Sequence, residues 1–243
     1  LAGEFSLHEG IDAAALAGEY ARTGRVTIAP FVQPDQAQAL YQLLRERTDW
    51  QQVINSGADK IFEFDRTAQA GLDAPQKEAL DQAVYAGARH DFQFRYETLR
   101  VPDDDTVRAA SDDLVFAFAR FLSHGPAREL LRFITGDAAI AFADAQATAY
   151  APGDFLTRHD DDVAGKHRSA AYVMSLNPQW RIEWGGLFLM HDADGHGADA
   201  IVPGFNRLNL FAVPQMHSVS EVTRATPYRR YSVTGWLRRS EQR

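Results

Sequence analysis

Ala149-Tyr150-Ala151-Pro152-Gly153-Asp154-Phe155-Leu156-Thr157-Arg158-His159-Asp160-Asp161 is the stretch on which the fold turns. It reads as a β-run, a Pro-Gly-Asp tight turn and a return run, along which Phe155, Thr157, His159 and Asp161 alternate onto one face. An imidazole and a carboxylate two residues apart on a strand point to the same side, the arrangement that lets both reach one metal ion. The spacing alone is weak evidence. With 8 His and 33 acidic residues in 243, about one His-x-acid triplet is expected by chance, and one occurs.

Context carries the rest. Downstream lie Trp184-Gly185-Gly186-Leu187-Phe188-Leu189, a buried apolar run over 206–213 leading to His217, and Arg230-Tyr231-Ser232-Val233-Thr234-Gly235-Trp236. In the last, Arg230, Ser232, Thr234 and Trp236 share a face. From residue 139 onward such short runs are separated by turn residues at Asn177-Pro178, Gly185-Gly186, Gly195 to Gly197 and Pro203-Gly204, the spacing of a sandwich or barrel. Two His and one carboxylate on neighbouring strands can fill one face of an octahedral metal and leave the other positions open, which suits iron(II). A buried Arg beside them would pair bidentately with a carboxylate.

Upstream, helical periodicity is expected over 11–20, from Pro34, from Pro75 to about 89, over 112–121 and over 126–133, with strands at 26–28 and 61–64. Trp50, Phe62, Phe64, Phe92, Phe94 and Tyr96 read as packing between helices and barrel. The acidic run 103–105 reads as a solvated loop, with a lid as the alternative. There is no repeat and no Pro- or Ser-rich linker. The expectation is a single integrated domain over 1–243, a mostly helical N-terminal layer over 1–138 and a catalytic β core over 139–239.

Composition excludes several classes. A formal charge of −8 offers no general attraction to nucleic acid or anionic lipid, so no nucleic-acid or membrane partner is expected. The absence of cysteine removes disulfides, thiolate metal sites and cysteine nucleophiles. The acidic first twenty residues do not read as a signal peptide, and no apolar run approaches a membrane span, so a cytoplasmic location is expected. No Walker loop, dinucleotide fingerprint or G-x-S-x-G elbow is present.

Taken in order, the blocks YAPGDFLTRHDD, SLNPQW, WGGLFLM, PGFNRLNLF, MHSV and RYSVTGW resemble the iron(II)- and 2-oxoglutarate-dependent oxygenases of the prolyl 4-hydroxylase superfamily, above all the hypoxia-type prolyl hydroxylases and their bacterial relatives. The resemblance covers about residues 145–237. It implies an α+β fold with a double-stranded β-helix (jelly-roll, cupin-like) core and an N-terminal helical support layer. It implies His159, Asp161 and His217 as iron ligands and Arg230 as the anchor for the distal carboxylate of 2-oxoglutarate. Tyr150 would hydrogen-bond the cosubstrate, Phe188 would line its slot, and Thr234, on the face of Arg230, would join the same set. Ser175 stands where hypoxia-type enzymes often place a second tyrosine. Arg229 turns outward by alternation, and Asp160 and Asp162 point away from the metal unless a loop beginning at Asp161 returns Asp162.

The implied cofactors are Fe(II) and 2-oxoglutarate, with ascorbate as an optional accessory reductant. The implied reaction is hydroxylation of an unactivated C–H bond, foremost of a prolyl residue, with a protein or peptide substrate placed ahead of a small molecule. Two alternatives stand beside it: a hydroxylase of a free amino acid or metabolite, and a non-catalytic cupin-like metal-binding or sensor protein. Oligomeric state is left open.

Overall fold

The computed structural model describes residues 5–57 and 60–240; the outermost residues of the expected domain, Glu4 and Arg243 among them, lie outside that range. In chain order the elements are α1 (Ala13–Thr23), β1 (Arg25–Ile28), α2 (Pro34–Glu46), β2 (Gln51–Ser56), β3 (Lys60–Asp65), α3 (Arg66–Gly71), α4 (Ala74–Ala88), β4 (Phe94–Arg100), α5 (Asp105–Ala109), α6 (Leu114–Ser123) and α7 (Gly125–Thr135). They continue as β5 (Ile140–Ala143), β6 (Gln146–Tyr150), β7 (Phe155–His159), β8 (Arg168–Leu176), β9 (Phe188–His191), β10 (Ala198–Ile201), β11 (Phe205–Ala212), β12 (His217–Val219) and β13 (Arg230–Arg239).

Local chemistry explains the helix ends. Asp12 accepts from the Ala15 N–H, Asp113 from that of Val115, and Asp73 with Gln76 forms a reciprocal capping box ahead of Pro75. Gly24 and Gly136 close α1 and α7 in the left-handed region.

The strands form one curled antiparallel sheet, ordered β1-β11-β8-β13-β6-β4-β7-β12-β9-β10. Strand β8 shows how it is packed. Ala170, Tyr172, Met174 and Leu176 join the core under the helices with Leu40, Trp50 and Phe118, whereas Ala171 and Val173 face the barrel interior with Phe188, Phe211 and Val219. The result is a jelly-roll half-barrel whose outer face is covered by α1, α2, α6 and α7.

The mostly helical first half also supplies strands, because β1 to β4 join the same sheet and β4 bridges its two walls, pairing with β6 over Glu97–Arg100 and with β7 at Phe94 and Arg95. Arg95, Glu97 and Thr98 of β4 are buried, and Phe94, Tyr96 and Leu99 are half-buried. Arg95 is paired with Asp81 and Asp154, and Glu97 with Arg66 and Arg229, so charged residues occupy positions where an apolar signal would ordinarily mark a strand. The acidic run is likewise structural: Asp104 caps α5, and Asp105 bonds Arg120 and His124.

Candidate active site

Strands β7 and β12 lie side by side with His159 and His217 directly in register. Their ring centroids are 4.0 Å apart. The Nδ1 of His159 lies 3.0 Å from the Thr157 carbonyl, and that of His217 lies 2.7 Å from the Gln215 carbonyl. A carbonyl only accepts, so each Nδ1 carries the proton and each Nε2 lone pair is left free, as a metal-ligating imidazole requires.

Asp161 completes the cluster by a route the alternation argument missed. Strand β7 ends at His159, and Asp161 sits in the left-handed region at φ 65°. The turn, not the pleat, aims its carboxylate, with Oδ1 3.5 Å from His159 Nε2 and Oδ2 3.3 Å from His217 Nε2. Arg168 steadies the turn by donating to the Asp161 carbonyl at 2.8 Å, and its guanidinium stacks 3.5 Å from the centre of the Trp236 ring. Ligand atoms of His159, Asp161 and His217 all lie within 4.8 Å of one another. Burial alone would push the Asp161 carboxyl up, but the two imidazoles beside it pull it well below the usual carboxylate range. Two neutral imidazoles and one carboxylate are a donor set that fits iron(II).

The cluster opens into a cavity of about 500 Å³. Its far wall carries Arg230, only 2% exposed. Arg230 Nη1 donates to Ser232 Oγ at 3.2 Å, its guanidinium carbon lies 5.2 Å from the centre of the Tyr150 ring, and Nε has no hydrogen-bond partner. No carboxylate pairs with it among the described residues, and burial lowers its pKa. An orphaned guanidinium beside a cavity fits a carboxylate of a bound dicarboxylic acid.

Two features seat this arginine. Asn177 bonds the chain on either side of it, donating to the Arg229 carbonyl and accepting from the Tyr231 N–H, both at 3.0 Å. Gly186, at φ 60°, leaves the space for its stem, since a Cβ there would lie 3.2 Å from Arg230 Cδ and 3.0 Å from Val222 Cγ2.

The other expected residues are placed as follows. Tyr150, Phe188 and Thr234 line the cavity, and Phe188 meets His217 edge-on with ring centroids 5.6 Å apart. Ser175 is buried opposite Ser232 on the β8–β13 ladder and is not among the cavity-lining side chains. Arg229 turns away to Glu97 at 2.6 Å. Asp160 and Asp162 both border the cavity, because the left-handed turn at Asp161 breaks the pleat that would have turned them away. Phe92, Phe94 and Tyr96 also line it; they are site residues rather than helix packing, and Phe92 lies against His159 at 5.4 Å. Gln146 and Arg168 were carried by no motif; Gln146 shares the inward parity of Thr148 and Tyr150 on β6, whereas Arg168 lies beyond a register shift at the start of β8.

Comparison with known proteins agrees with this geometry. Residues 145–238 match the model of the 2OG-Fe(II) oxygenase superfamily. A curated relative, prolyl 3-hydroxylase OGFOD1 of Mus musculus, is 32% identical over 101 residues, 39% of this chain and 18% of the relative, so the matched segment spans less than a fifth of that protein. Among solved structures, a Pseudomonas putida prolyl-4-hydroxylase superposes with a TM-score of 0.61 at 19% identity, covering 94% of this chain and 99% of its own. A Trichoplax adhaerens prolyl hydroxylase, solved with a hypoxia inducible factor oxygen degradation domain peptide fragment, gives 0.58 at 14% identity over 93% of this chain and 89% of its own. These structural likenesses establish the jelly-roll fold.

Proposed function

We propose that the chain is an iron(II)- and 2-oxoglutarate-dependent dioxygenase that hydroxylates a prolyl residue in a protein or peptide. The observation that carries this reading is the buried, acid-free guanidinium of Arg230 in the same cavity as the His159–Asp161–His217 cluster. A protein that only stored metal would have no use for a buried unpaired cation.

In this reading His159, Asp161 and His217 hold the iron, and Arg230 binds the distal carboxylate of 2-oxoglutarate. An iron ion held by these residues would supply the oxidising chemistry with dioxygen as oxidant: one oxygen atom would enter 2-oxoglutarate, which leaves as succinate and carbon dioxide, and the other would enter the substrate C–H bond. The protein's part is positional. The Thr157 and Gln215 carbonyls fix both imidazole tautomers, Arg168 holds the Asp161 turn, and Tyr150 and Phe188 form the dry walls of the cavity.

The cavity mouth favours a peptide over a metabolite. It is edged by exposed Ile61, Phe92 and Val163 together with Asp160 and Asp162, and among the described residues that line the cavity none belongs to a helix. An apolar rim around an open approach suits a prolyl ring within an extended chain, whereas a metabolite site would close with fixed polar groups on all sides. The prolyl hydroxylases among the similar proteins support the same choice. Among the described residues no helix is long and apolar enough to cross a membrane; a cytoplasmic location is part of the reading and is supported by the cysteine-free composition.

The test incubates the protein with iron(II), 2-oxoglutarate and either a proline-bearing peptide library or free L-proline, and reads products by mass spectrometry. Gain of one oxygen atom on peptidyl proline is expected. Efficient oxidation of free proline with no peptide product would move the assignment to a metabolite hydroxylase.

A further inference from the structure

We propose that the seam where the jelly roll fails to close is a binding site and side entrance for a small apolar gas, dioxygen, behind the Phe188–Phe211 pair of the cavity wall. The inference rests on the dioxygenase reading above, and it gives the third reactant a way in that neither the cosubstrate nor a peptide can use.

The seam follows from the strand order. The sheet begins at β1 and ends at β10, and no ladder joins the two. Across the gap, Arg25 on β1 reaches Asp199 on β10 in an ion pair. Beside that pair lies a cleft of about 100 Å³, lined by residues of α1, β1, β9, β10 and β11. A water molecule takes about 30 Å³ of liquid, so the cleft has room for a diatomic gas and none for a peptide.

Polarity falls from the outside inward. Glu19 and Thr27 are exposed, and the Thr27 hydroxyl donates to Asn209 Oδ1 at 2.8 Å. The floor is Phe188, Met190 and Phe211, each at most 3% exposed. Ile201 completes it: as the cross-strand partner of Phe188 it shares the inward face and packs against the same apolar cluster. A floor of this kind offers nothing to an ion, whereas apolar cavities of similar lining take up xenon.

That floor is also the wall of the active-site cavity. Among the described residues Phe188 and Phe211 line both spaces, and no other residue does. Their rings pack at 5.4 Å, and both meet His217, Phe211 at 4.8 Å and Phe188 at 5.6 Å. One layer of aromatic rings therefore separates the cleft from a proposed iron ligand. The mouth edged by Ile61, Phe92 and Val163 has no residue in common with the cleft. A peptide at the mouth and a 2-oxo acid at Arg230 occupy the direct approach, while a diatomic gas slips past two rings as their side chains shift.

Crystals pressurised with xenon test the site without turnover, and the oxygen dependence of 2-oxoglutarate consumption tests the route. Both are measured on the wild type, on Ile201→Trp, which fills the cleft from its edge strand, and on Ile201→Ala, which widens it. Thermal unfolding and calorimetric binding of 2-oxoglutarate with Mn(II) show that each variant keeps its fold and its cosubstrate site, and Ile201→Phe serves if the tryptophan variant does not fold. Xenon should sit against Phe188 and Met190 in the wild type and Ile201→Ala, and be lost from Ile201→Trp. In Ile201→Trp kcat/KM for dioxygen should fall about fivefold while 2-oxoglutarate affinity stays within about twofold; in Ile201→Ala it should not fall. A wild-type cleft that takes up no xenon overturns the proposal. So does an unchanged kcat/KM for dioxygen in a folded Ile201→Trp protein that has lost its xenon. If the wild type takes up xenon but consumes no 2-oxoglutarate with iron(II) and prolyl peptides, the dioxygenase reading itself fails, and dioxygen falls with it as the ligand of the cleft.

Discussion

The two walls of the cavity solve opposite electrostatic problems. On the β7–β12 wall, Asp161 lies 3.3 and 3.5 Å from the Nε2 atoms of two imidazoles, so three ligand atoms converge even before a cation arrives. On the β6–β13 wall, Arg230 is as deeply buried, yet it has only a serine hydroxyl and the face of a tyrosine ring. One wall is complete as a set of donors for a cation. The other is a cation left incomplete, which costs folding stability unless an anion fills the gap.

The largest effect should come from breaking the complete wall. Asp161→Ala removes the only carboxylate of the cluster and should weaken Mn(II) or Fe(II) binding by at least about 100-fold, since even outer-shell losses reach that range. Equilibrium dialysis with metal analysis checks it. Affinity within a few-fold of wild type would mean that the metal is held elsewhere.

Breaking the incomplete wall should give a split result. Arg230→Leu should reduce 2-oxoglutarate affinity by about two orders of magnitude, in line with loss of a charge-assisted bidentate contact, while metal affinity stays within a few-fold. The same change removes a buried charge without an acid partner, so the ligand-free protein should become more stable, by about 1–3 kcal/mol. Denaturant unfolding with and without 2-oxoglutarate reads both effects. A destabilised ligand-free variant would show that Arg230 is already satisfied in the folded chain.

How much of this was legible in the sequence follows the same division. His159, His217 and Arg230 stand in ordered motifs, each at a definite place on a strand. Asp161 was found for a partly mistaken reason: the pleat was expected to aim it, and a left-handed turn does so. Strand β4 stayed hidden, since Arg95 and Glu97 are buried through pairing with charges distant in sequence. Tyr96 went with it, its alternation masked by those charges. Such pairings depend on which strands become neighbours, and no local pattern records that.

A second pair of buried carboxylates sharpens the contrast. Asp161 is held low by its imidazoles, whereas burial pushes Asp154 up to about 7, against the pull of the Ala151 N–H and Arg95. Between the ordinary value of 3.8 and about 7 the folded chain binds this proton more tightly than the unfolded chain does. The resulting contribution to stability is complete below pH 3.8 and is lost as pH rises to about 7. Asp154→Asn should therefore flatten the stability profile between pH 5 and pH 8 by on the order of 2 kcal/mol, read by denaturant titrations at each pH. An unchanged slope would assign the pH response to other groups.

The smallest expected effect tests whether the β6–β13 wall is specific to one of two adjacent arginines. Arg229 and Arg230 are neighbours in sequence, but the pleat sends them to opposite sides, Arg230 to the cavity and Arg229 to Glu97. Arg229 is partly solvated, and Glu97 keeps a two-pronged bond to Arg66 at 2.9 and 3.0 Å when Arg229 is removed. Exposure screens what remains, so Arg229→Ala should cost less than about 1 kcal/mol of stability. It should also leave 2-oxoglutarate affinity within about twofold, because no long-range field from a partly screened surface charge matches a direct contact. Calorimetry on Arg229→Ala beside Arg230→Leu makes the comparison. Equal losses in the two variants would mean that net positive charge near the cavity, rather than the placement of one guanidinium, holds the cosubstrate.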